Sequence, residues 1–421
     1  MEEGGTKRRR LVVRLRLPRK AATLPKELLV EIFSWLPVKH VVQLRCLNKF
    51  FKTLIFDPYF VDLHLNKSQQ QQQLAITYGK LKDNTSRMET LSIPRLLRNK
   101  SPIFHQNTDP DRLLNGYSRV QLQRVVASCN GLVCLFSVSY PSLDQWICFW
   151  NPAIRTKSIK FPVFFSHNSN YYVSFSFGYD NSTRTYKLVV FYMEMDFEPG
   201  SLLLKVFSFG GDDDDNSCWR DIQCSFPVLP LFWHHDNIKT IDNKGAHLNG
   251  TINWIVLRDY KINTTVVSVD QYVILSLDLS TEKCTQLLLP QRFDDKEPWH
   301  PPKLVVLLDS LCFCHDIEET HFVIWQMKNF GVQDSWVQLF QISYEDSFFT
   351  WMNLWPLYLS HNHDTLILAN YECHDHEAFI YNHKYNQVDK IGNNKVDEIG
   401  ITGDIHWLEA NNYVESLVST H

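Results

Sequence analysis

The sequence predicts a multidomain α+β protein, in which a small all-α module precedes a large all-β domain whose favoured architecture is a β-propeller. Apolar residues recur at helical spacing over residues 23–66, whereas residues 121–410 alternate short apolar runs with turn residues. Aromatic residues make up 13% of the chain, and flat rings pack well on the pleated surface of strands.

Residues 23–66, the predicted helical module, divide into four short helices, and three of them have a start signal. Pro25 suits the first turn of a helix, because its missing N–H would have no partner there. Pro37 ends the first helix, Asn48 can cap the third, and Asp57 followed by proline starts the fourth. The first helix has a wide apolar face made of Leu28, Leu29, Ile32, Phe33 and Leu36. Helices in so short a module cannot close a core alone, so part of this face has to meet another surface.

The β-domain contains two kinds of degenerate repeat. Asn130-Gly131 and Asn249-Gly250 stand between alternating apolar residues, which is a strong hairpin signal. A second element, a strand followed by a polar turn, recurs at Asn151, Asp278 and Asn382. Repeats about 50–60 residues apart favour a propeller of four-stranded units, with a β-sandwich carrying long insertions as the alternative. In a propeller these repeats place five tryptophans in buried strands: Trp150, Trp219, Trp254, Trp325 and Trp336.

The remaining segments are predicted to be tails and a linker. Residues 1–22 form a basic, disordered tail, residues 67–120 a linker that is Gln-rich at its start, and residues 411–421 a C-terminal tail. The cluster from Lys7 to Arg10 fits a nuclear import signal as well as a solubilising tail, and the sequence does not decide between them.

Composition and charge exclude several classes of protein. The net charge of −4 argues against nucleic acid as a partner of the whole chain. No apolar run is long enough for a membrane span, and Arg14 interrupts the one candidate signal segment. The ten cysteines lie mostly in apolar runs, which is typical of free thiols in a reducing compartment. We therefore expect a cytoplasmic or nuclear protein.

The sequence contains no recognisable catalytic motif, phosphate-binding loop or zinc-protease motif, so we expect neither an enzyme nor a cofactor. Two segments come nearest to a metal site, Cys312-Phe-Cys314-His315 and His374-Asp-His376. Each lacks the four ligands of a structural zinc site, and buried core cysteines are the favoured interpretation.

The helical module resembles the F-box family of plants. Its residues include, in order, Leu24-Pro25, Leu36-Pro37-Val38-Lys39, Leu44-Arg45-Cys46 and Asp57-Pro58; Phe51 stands where those proteins usually have tryptophan. The resemblance implies that the helices dock on a Skp-type adaptor and, through it, on a cullin scaffold. It assigns adaptor binding to Leu24, Pro25, Leu28, Leu29, Ile32, Leu36, Pro37, Val38, Leu44, Arg45 and Leu47.

Residues 100–390 resemble the F-box-associated, kelch-related domain of the same proteins. The matching stretches are Ser128–Cys134, Trp150-Asn151-Pro152, Phe177–Asp180 and His247–Trp254. The resemblance implies the substrate-recognition subunit of an SCF-type (Skp–cullin–F-box) ubiquitin ligase, with an unidentified target protein. An F-box scaffold without turnover of its partner is the alternative. The polar segments Asp212–Asn216 and Arg292–Pro301 are candidate target-binding loops.

Overall fold

Four helices form the N-terminal part of the structure: α1 (Lys26–Phe33), α2 (Val38–Leu44), α3 (Lys49–Ile55) and α4 (Pro58–Ser68). Their starts agree with the sequence signals. The Asn48 side chain accepts the Phe51 N–H at 3.1 Å, and the Asp57 side chain accepts the Tyr59 N–H at 3.0 Å. Pro25 and Pro37 are the residues that precede α1 and α2. The helical module, predicted as residues 23–66, comprises residues 24–69 in the structure.

The structure is a computed structural model, and it describes residues 24–69, 73–80, 85–98, 113–114, 121–163, 171–194, 203–210, 219–223, 228–230, 244–258, 271–291, 300–317, 320–344, 353–371, 376–391 and 405–420.

Within these ranges the strands form six antiparallel sheets, which are the blades of a β-propeller. Blades 1 to 3 consist of β1 (Gln73–Lys80), β2 (Thr85–Ser92), β3 (Leu113–Leu114), β4 (Gln121–Cys129), β5 (Leu132–Ser139), β6 (Gln145–Asn151), β7 (Thr156–Lys157), β8 (Phe161–Pro162), β9 (Tyr171–Asp180), β10 (Thr185–Glu194), β11 (Leu203–Phe209) and β12 (Trp219–Ile222). A fifth helix, α5 (Ile93–Arg98), follows β2.

Blades 4 to 6 consist of β13 (Val228–Pro230), β14 (Ala246–Leu248), β15 (Thr251–Arg258), β16 (Tyr272–Asp278), β17 (Lys283–Leu287), β18 (Lys303–Leu307), β19 (Ser310–Ile317), β20 (His321–Met327), β21 (Trp336–Ser343), β22 (Leu354–Leu359), β23 (Thr365–Tyr371), β24 (His376–Asn382) and β25 (Gln387–Lys390). The last strand, β26 (Ile405–Tyr413), returns to blade 1 and pairs with β1. The all-α module followed by an all-β propeller confirms the predicted fold class.

The innermost strands of the six blades touch one another in a closed ring, in the order β26, β4, β9, β14, β18 and β22. Blade 1 therefore combines one strand from the end of the propeller with three from its beginning. This differs from the predicted domain boundaries. The range 67–120, predicted as a linker, contains β1, β2, α5 and β3, and the predicted tail contains the last residues of β26.

The hairpin signals in the sequence correspond to the tight turns after innermost strands. Both central residues have positive φ in Asn130-Gly131 (48° and 81°) and in Asn249-Gly250 (48° and 77°). Leu308 and Asp309 adopt the same conformation at 47° and 52° without a glycine. Positive φ at both positions matches the right-handed twist of the flanking strands, which explains the Asn-Gly pairs.

The second sequence repeat is a four-residue turn closed by an Asn or Asp side chain. The side chains of Asn151, Asp278 and Asn382 accept backbone N–H groups two or three residues ahead, at 3.0, 2.8 and 3.1 Å. The residue before the next strand has positive φ in each copy, at Arg155, Glu282 and Asn386. An Asx side chain that caps its own turn is the physical reason for the repeat.

The five tryptophans lie in strands of four blades, and Trp219 and Trp336 occupy equivalent places at the start of outer strands. Trp150, Trp254, Trp325 and Trp336 are buried, and Trp219 is half-buried. The Trp219 indole donates to the Pro162 carbonyl at 2.9 Å, and the Trp336 indole donates to the Leu288 carbonyl at 3.0 Å. Each bond joins the first residue of an outer strand to the segment that leaves the preceding blade.

Candidate functional site

The helical module packs directly on one end of the propeller, which we call the near end. A single apolar cluster unites Val30, Val41 and Phe60 of the helices with Leu417, and Ala153 and Ile154 pack against it. Leu417 follows β26, and the other two residues lie in the turn between β6 and β7. The helices and the propeller are therefore in contact, although the sequence suggested a linker between them.

The segment after β26 is held between the two domains. The Asn151 amide donates to the carbonyl oxygens of Ser416 at 3.1 Å and Val418 at 2.9 Å. Gly131 lies so close that an added Cβ would be 2.2 Å from Ser416 Oγ and 2.6 Å from the Val414 carbonyl. This segment is thus fixed by turns of blade 2 and presents Leu417 to the helices.

The helical module exposes an unusual share of large apolar side chains. Seven of the sixteen that are exposed among the described residues belong to it: Leu24, Leu28, Ile32, Trp35, Leu47, Phe56 and Tyr59. Leu28 and Ile32 are each 50% exposed and lie one turn apart on α1, so their side chains share a face. A group of apolar side chains left in water at one place marks an interaction surface.

The predicted adaptor-binding residues are distributed unevenly in the structure. Leu24, Pro25, Leu28, Ile32, Pro37, Arg45 and Leu47 are exposed, and Leu29, Leu36 and Leu44 are half-buried. Val38 differs, because its side chain is 1% exposed and belongs to the cluster beneath the helices. A side chain buried in this way cannot touch a partner, so its role is to hold α2 on the core.

Sequence reasoning missed one feature of α1 and one of the turn that follows it. Val30 is the buried residue of α1, although it was not assigned to the apolar face. Trp35 is exposed, and its ring is fixed by neighbours: the indole donates to Glu31 Oε1 at 3.2 Å, and Lys67 Nζ lies 4.4 Å from the ring centroid. Lys67 also pairs with Glu31. The one available signal for Trp35 was a large aromatic residue next to Leu36-Pro37.

A central cavity of about 300 Å³ lies inside the ring of innermost strands and is lined by residues of all six blades. Its wall includes apolar groups such as Phe177 and Leu357, together with His247 and Cys129. His247 Nε2 accepts the Tyr179 N–H at 3.2 Å, so Nδ1 carries the proton and faces Cys129 Sγ at 3.9 Å.

This Cys–His pair is not an activated nucleophile. Burial lowers the pKa of His247 to about 4 and raises the pKa of the Cys129 thiol to about 12. At neutral pH both groups are uncharged, and a protonated thiol is a poor nucleophile. The pair therefore serves packing at the wall of the cavity.

The predicted candidates for a metal site also lie in the core or outside the described residues. Cys312 and Cys314 are buried, and burial raises the pKa of both thiols, to about 12 for Cys312. Across the described ranges, no three His, Cys, Asp or Glu residues come together as metal ligands. His374 lies outside the described residues.

None of the helices in the described residues has the length and hydropathy of a membrane-spanning segment.

A buried polar cluster lies at the opposite, far end of blade 5. His300 Nδ1 donates to Asp316 Oδ2 at 3.0 Å, and the Tyr344 hydroxyl donates to the other carboxylate oxygen. Burial raises the pKa of Asp316, but the His300 bond and the charge of buried Lys303 outweigh it and leave that pKa below its ordinary value. The cluster ties the segments before β18 and after β21 to β19.

Most residues of the two predicted target loops lie outside the described part of the chain. Asp212–Asn216 lies outside the described residues, as does Arg292–Pro301 except for His300 and Pro301. The strands that precede the two loops finish at opposite ends of the propeller: β11 at the near end, and β17 towards the far end.

Comparison with known proteins agrees with this architecture. The family model described as the F-box associated β-propeller domain matches residues 84–420, and the F-box domain model matches residues 22–63. The F-box/kelch-repeat protein At3g23880 of Arabidopsis thaliana is 25% identical over 332 residues, which cover 76% of this chain and 79% of that protein. The F-box protein CPR1 of the same plant is 23% identical over 362 residues, with 82% and 79% covered.

Proposed function

The chain belongs to the family of plant F-box proteins with an F-box-associated β-propeller, and from that premise we propose that it is the substrate receptor of an SCF-type ubiquitin ligase. An F-box followed by such a propeller is the architecture of a substrate adaptor. In the finer proposal, the helices dock on a Skp-type adaptor that joins a cullin scaffold. The propeller holds a target protein for ubiquitination.

The observation that carries the proposal is the apolar face of α1. Leu28 and Ile32 of this helix, and Leu24 just before it, are about half exposed, and none belongs to the clusters of buried residues that hold the fold together. Their exposure is costly in water unless a partner covers them. Val30, on the same helix, is buried in the cluster that unites the helices with Leu417, so a partner can cover the exposed face without unfolding the protein.

The packing of the helices supports a role in positioning. Because Leu417, Ala153 and Ile154 share an apolar cluster with the helices, the F-box keeps one orientation on the near end of the propeller. A target bound to the propeller would then stand in a constant relation to an adaptor bound to α1. Such a relation suits a receptor, because the lysine that accepts ubiquitin has to be brought to a distant catalytic centre.

The chemistry of the described residues favours an adaptor over an enzyme. The cavity holds an uncharged Cys–His pair, and the buried thiols Cys134 and Cys148 have pKa values raised by burial. Free thiols of this kind persist in reducing compartments, so the proposal places the protein in the cytosol or the nucleus. Nucleic acids and membranes are not among the proposed partners.

The test combines two measurements on the full chain. Coexpression with a plant Skp-type adaptor should give a stable complex, and addition of cullin with ubiquitin-charged enzymes should then ubiquitinate proteins captured by the propeller. Proteins bound by the wild-type chain should accumulate when the proteasome is inhibited. Adaptor binding without any change in the amount or ubiquitination of captured proteins would favour the scaffold alternative. A chain that does not bind the adaptor would refute the proposal.

A further inference from the structure

The outermost strands of the blades differ in how well they are protected against pairing with another chain. An unpaired edge strand is usually kept short, charged or interrupted by proline, since a long uncharged edge invites a further strand. Five blades follow this rule. Their outer strands are β3 and β7 with two residues each, the Pro-containing β8, β12 with Arg220 and Asp221, β17 with Lys283, and β25 with Asp389 and Lys390.

Blade 5 is the exception. Its outer strand β21 has eight residues, Trp-Val-Gln-Leu-Phe-Gln-Ile-Ser, with neither a charge nor a proline. It pairs with β20 on one side, and between Trp336 and Ile342 no strand of the described residues pairs with its other side. The register shifts near Leu339, which divides the free edge into two parts. Val337, Gln338 and Gln341 point into solvent.

Exposed apolar residues accompany the first part of this edge. Val337 is 48% exposed on β21, and Phe330, Val332 and Leu288 are exposed to a similar degree. The Trp336 indole donates to the Leu288 carbonyl at 3.0 Å, which holds Leu288 beside the start of β21, and Phe330 and Val332 lie in the turn that leads into that strand. These four residues form what we call the edge patch. The turn before β21 carries Lys328 and Asp334, one charge of each sign, so it adds no net charge.

We propose that the free edge of β21 binds an extended, uncharged segment of the target protein, which adds to blade 5 as a fifth strand. This proposal rests on the proposed function, because it names the kind of target segment that the propeller receives. Unpaired backbone N–H and C=O groups in a row are satisfied best by another extended backbone. The edge patch gives the added strand an apolar anchor near Val337, and the absence of charge disfavours acidic or basic segments.

A second copy of this chain fits the edge less well. Two copies related by a two-fold axis would pair β21 with β21, and the irregularities at Leu339 would then meet near the middle of the ladder. A flexible peptide avoids this conflict, because it can pair with one part of the edge or place an extra residue opposite the shift. The occupant is therefore a target segment.

The experiment uses the full chain in complex with its Skp-type adaptor and a fluorescent peptide of alternating threonine and valine, about as long as β21. Its comparison peptide carries an N-methyl group on every amide, which leaves the side chains unchanged but removes the donors of a strand ladder on both edges of the peptide. We expect binding of the first peptide by fluorescence anisotropy and at least about tenfold weaker binding of the second.

Three variants locate the site. Val337→Lys should weaken binding at least about tenfold, whereas Val337→Ile should weaken it far less, since isoleucine is uncharged, apolar and favours strands. Gln387→Lys, which adds the same charge to the exposed outer strand of blade 6, should change nothing. The melting temperature of each variant checks that the propeller is folded.

Several outcomes would overturn the inference: equal binding of the N-methylated peptide, an equal effect of Gln387→Lys, no binding at about 1 mM protein, or a dimer of the free chain that Val337→Lys dissociates. The double variant Leu28→Asp/Ile32→Asp, measured without adaptor, separates the two proposals. If it loses the adaptor but binds the peptide, both proposals stand. If the wild-type chain binds the peptide but never the adaptor, the proposed function alone fails.

Discussion

Replacing Leu28 and Ile32 together by aspartate should abolish adaptor binding and leave the propeller folded. Both side chains are 50% exposed, and neither belongs to a cluster of buried residues. In the free protein the double change therefore removes only the buried halves of two side chains. It also introduces aspartate, whose helix propensity is lower than that of leucine or isoleucine. We expect a loss of about 2 kcal/mol in the stability of the helices.

The cost in the complex is larger, because docking would bury the exposed halves. Full burial of a leucine or isoleucine contributes about 1.5–3 kcal/mol, so the exposed halves of two residues contribute about 2 kcal/mol together. Two carboxylates without partners add at least about 2 kcal/mol more when they leave water. A total of about 4 kcal/mol or more weakens adaptor binding by about a thousandfold.

The assay is titration calorimetry with a purified Skp-type adaptor, in parallel with thermal unfolding of the same samples. Ile159→Asp is the matched control, because Ile159 is an exposed apolar residue of the propeller and its replacement should affect neither measurement. Retained adaptor binding by the double variant would refute the assignment of this face. Loss of both binding and the main unfolding transition would show that the two residues maintain the fold instead.

Three further predictions follow from packing and titration. The folded-state pKa of His247 is about 4, below the 6.5 of an unpaired histidine. The free energy of unfolding is therefore at its full value above pH 6.5 and falls by about 3 kcal/mol as pH drops towards 4. Denaturant unfolding should show this decline, and His247→Gln should reduce it. In denaturant unfolding, Gly131→Ala should cost at least about 2 kcal/mol more stability than Gly250→Ala. Both glycines have positive φ, but an added Cβ meets the Val414 carbonyl only at Gly131. Equal costs would contradict the close packing. Leu417→Ala should destabilise the packing of the helices by about 2–5 kcal/mol, which should appear as faster amide exchange in α1 to α4. Unchanged exchange would show that the helices do not depend on this contact.

The local features of the fold could be predicted because their causes are local. Asn130-Gly131 and Asn249-Gly250 favour positive φ by themselves, and they form the predicted hairpins. The Asx turns at Asn151 and Asp278 are likewise closed by side chains two or three residues from the backbone they cap. Such signals lie within one short stretch of sequence, so no knowledge of the rest of the chain is needed.

Blade 1 could not be predicted in the same way. β1 pairs with β26, more than 300 residues later, and no turn motif connects them. The polar character of residues 67–120 then favoured a linker, although Leu74, Ile76 and Met88 are buried there. Pairing over such a distance is decided by closure of the ring, which has no local sequence signal.

The candidate site on the helices was predicted in part. The family resemblance named Leu28 and Ile32, which are exposed, but also Val38, which is buried. Periodicity shows that a helix has an apolar face, but it does not tell which apolar residue meets the core and which meets a partner. That distinction depends on Leu417, which reaches the helices from a segment more than 340 residues further along the chain.

The pairing of β1 with β26 also determines when the protein can mature during its synthesis. The ribosome makes the F-box helices long before Leu417 and β26, the innermost strand of blade 1. Until then β1 has a free edge, and the helices lack part of the surface on which they rest. A nascent chain is therefore open to aggregation or to a chaperone while the residues between β1 and β26 are being made. Translation products truncated before Leu417 should lack an F-box that is fully packed on the propeller, which is the form that a ligase would recruit.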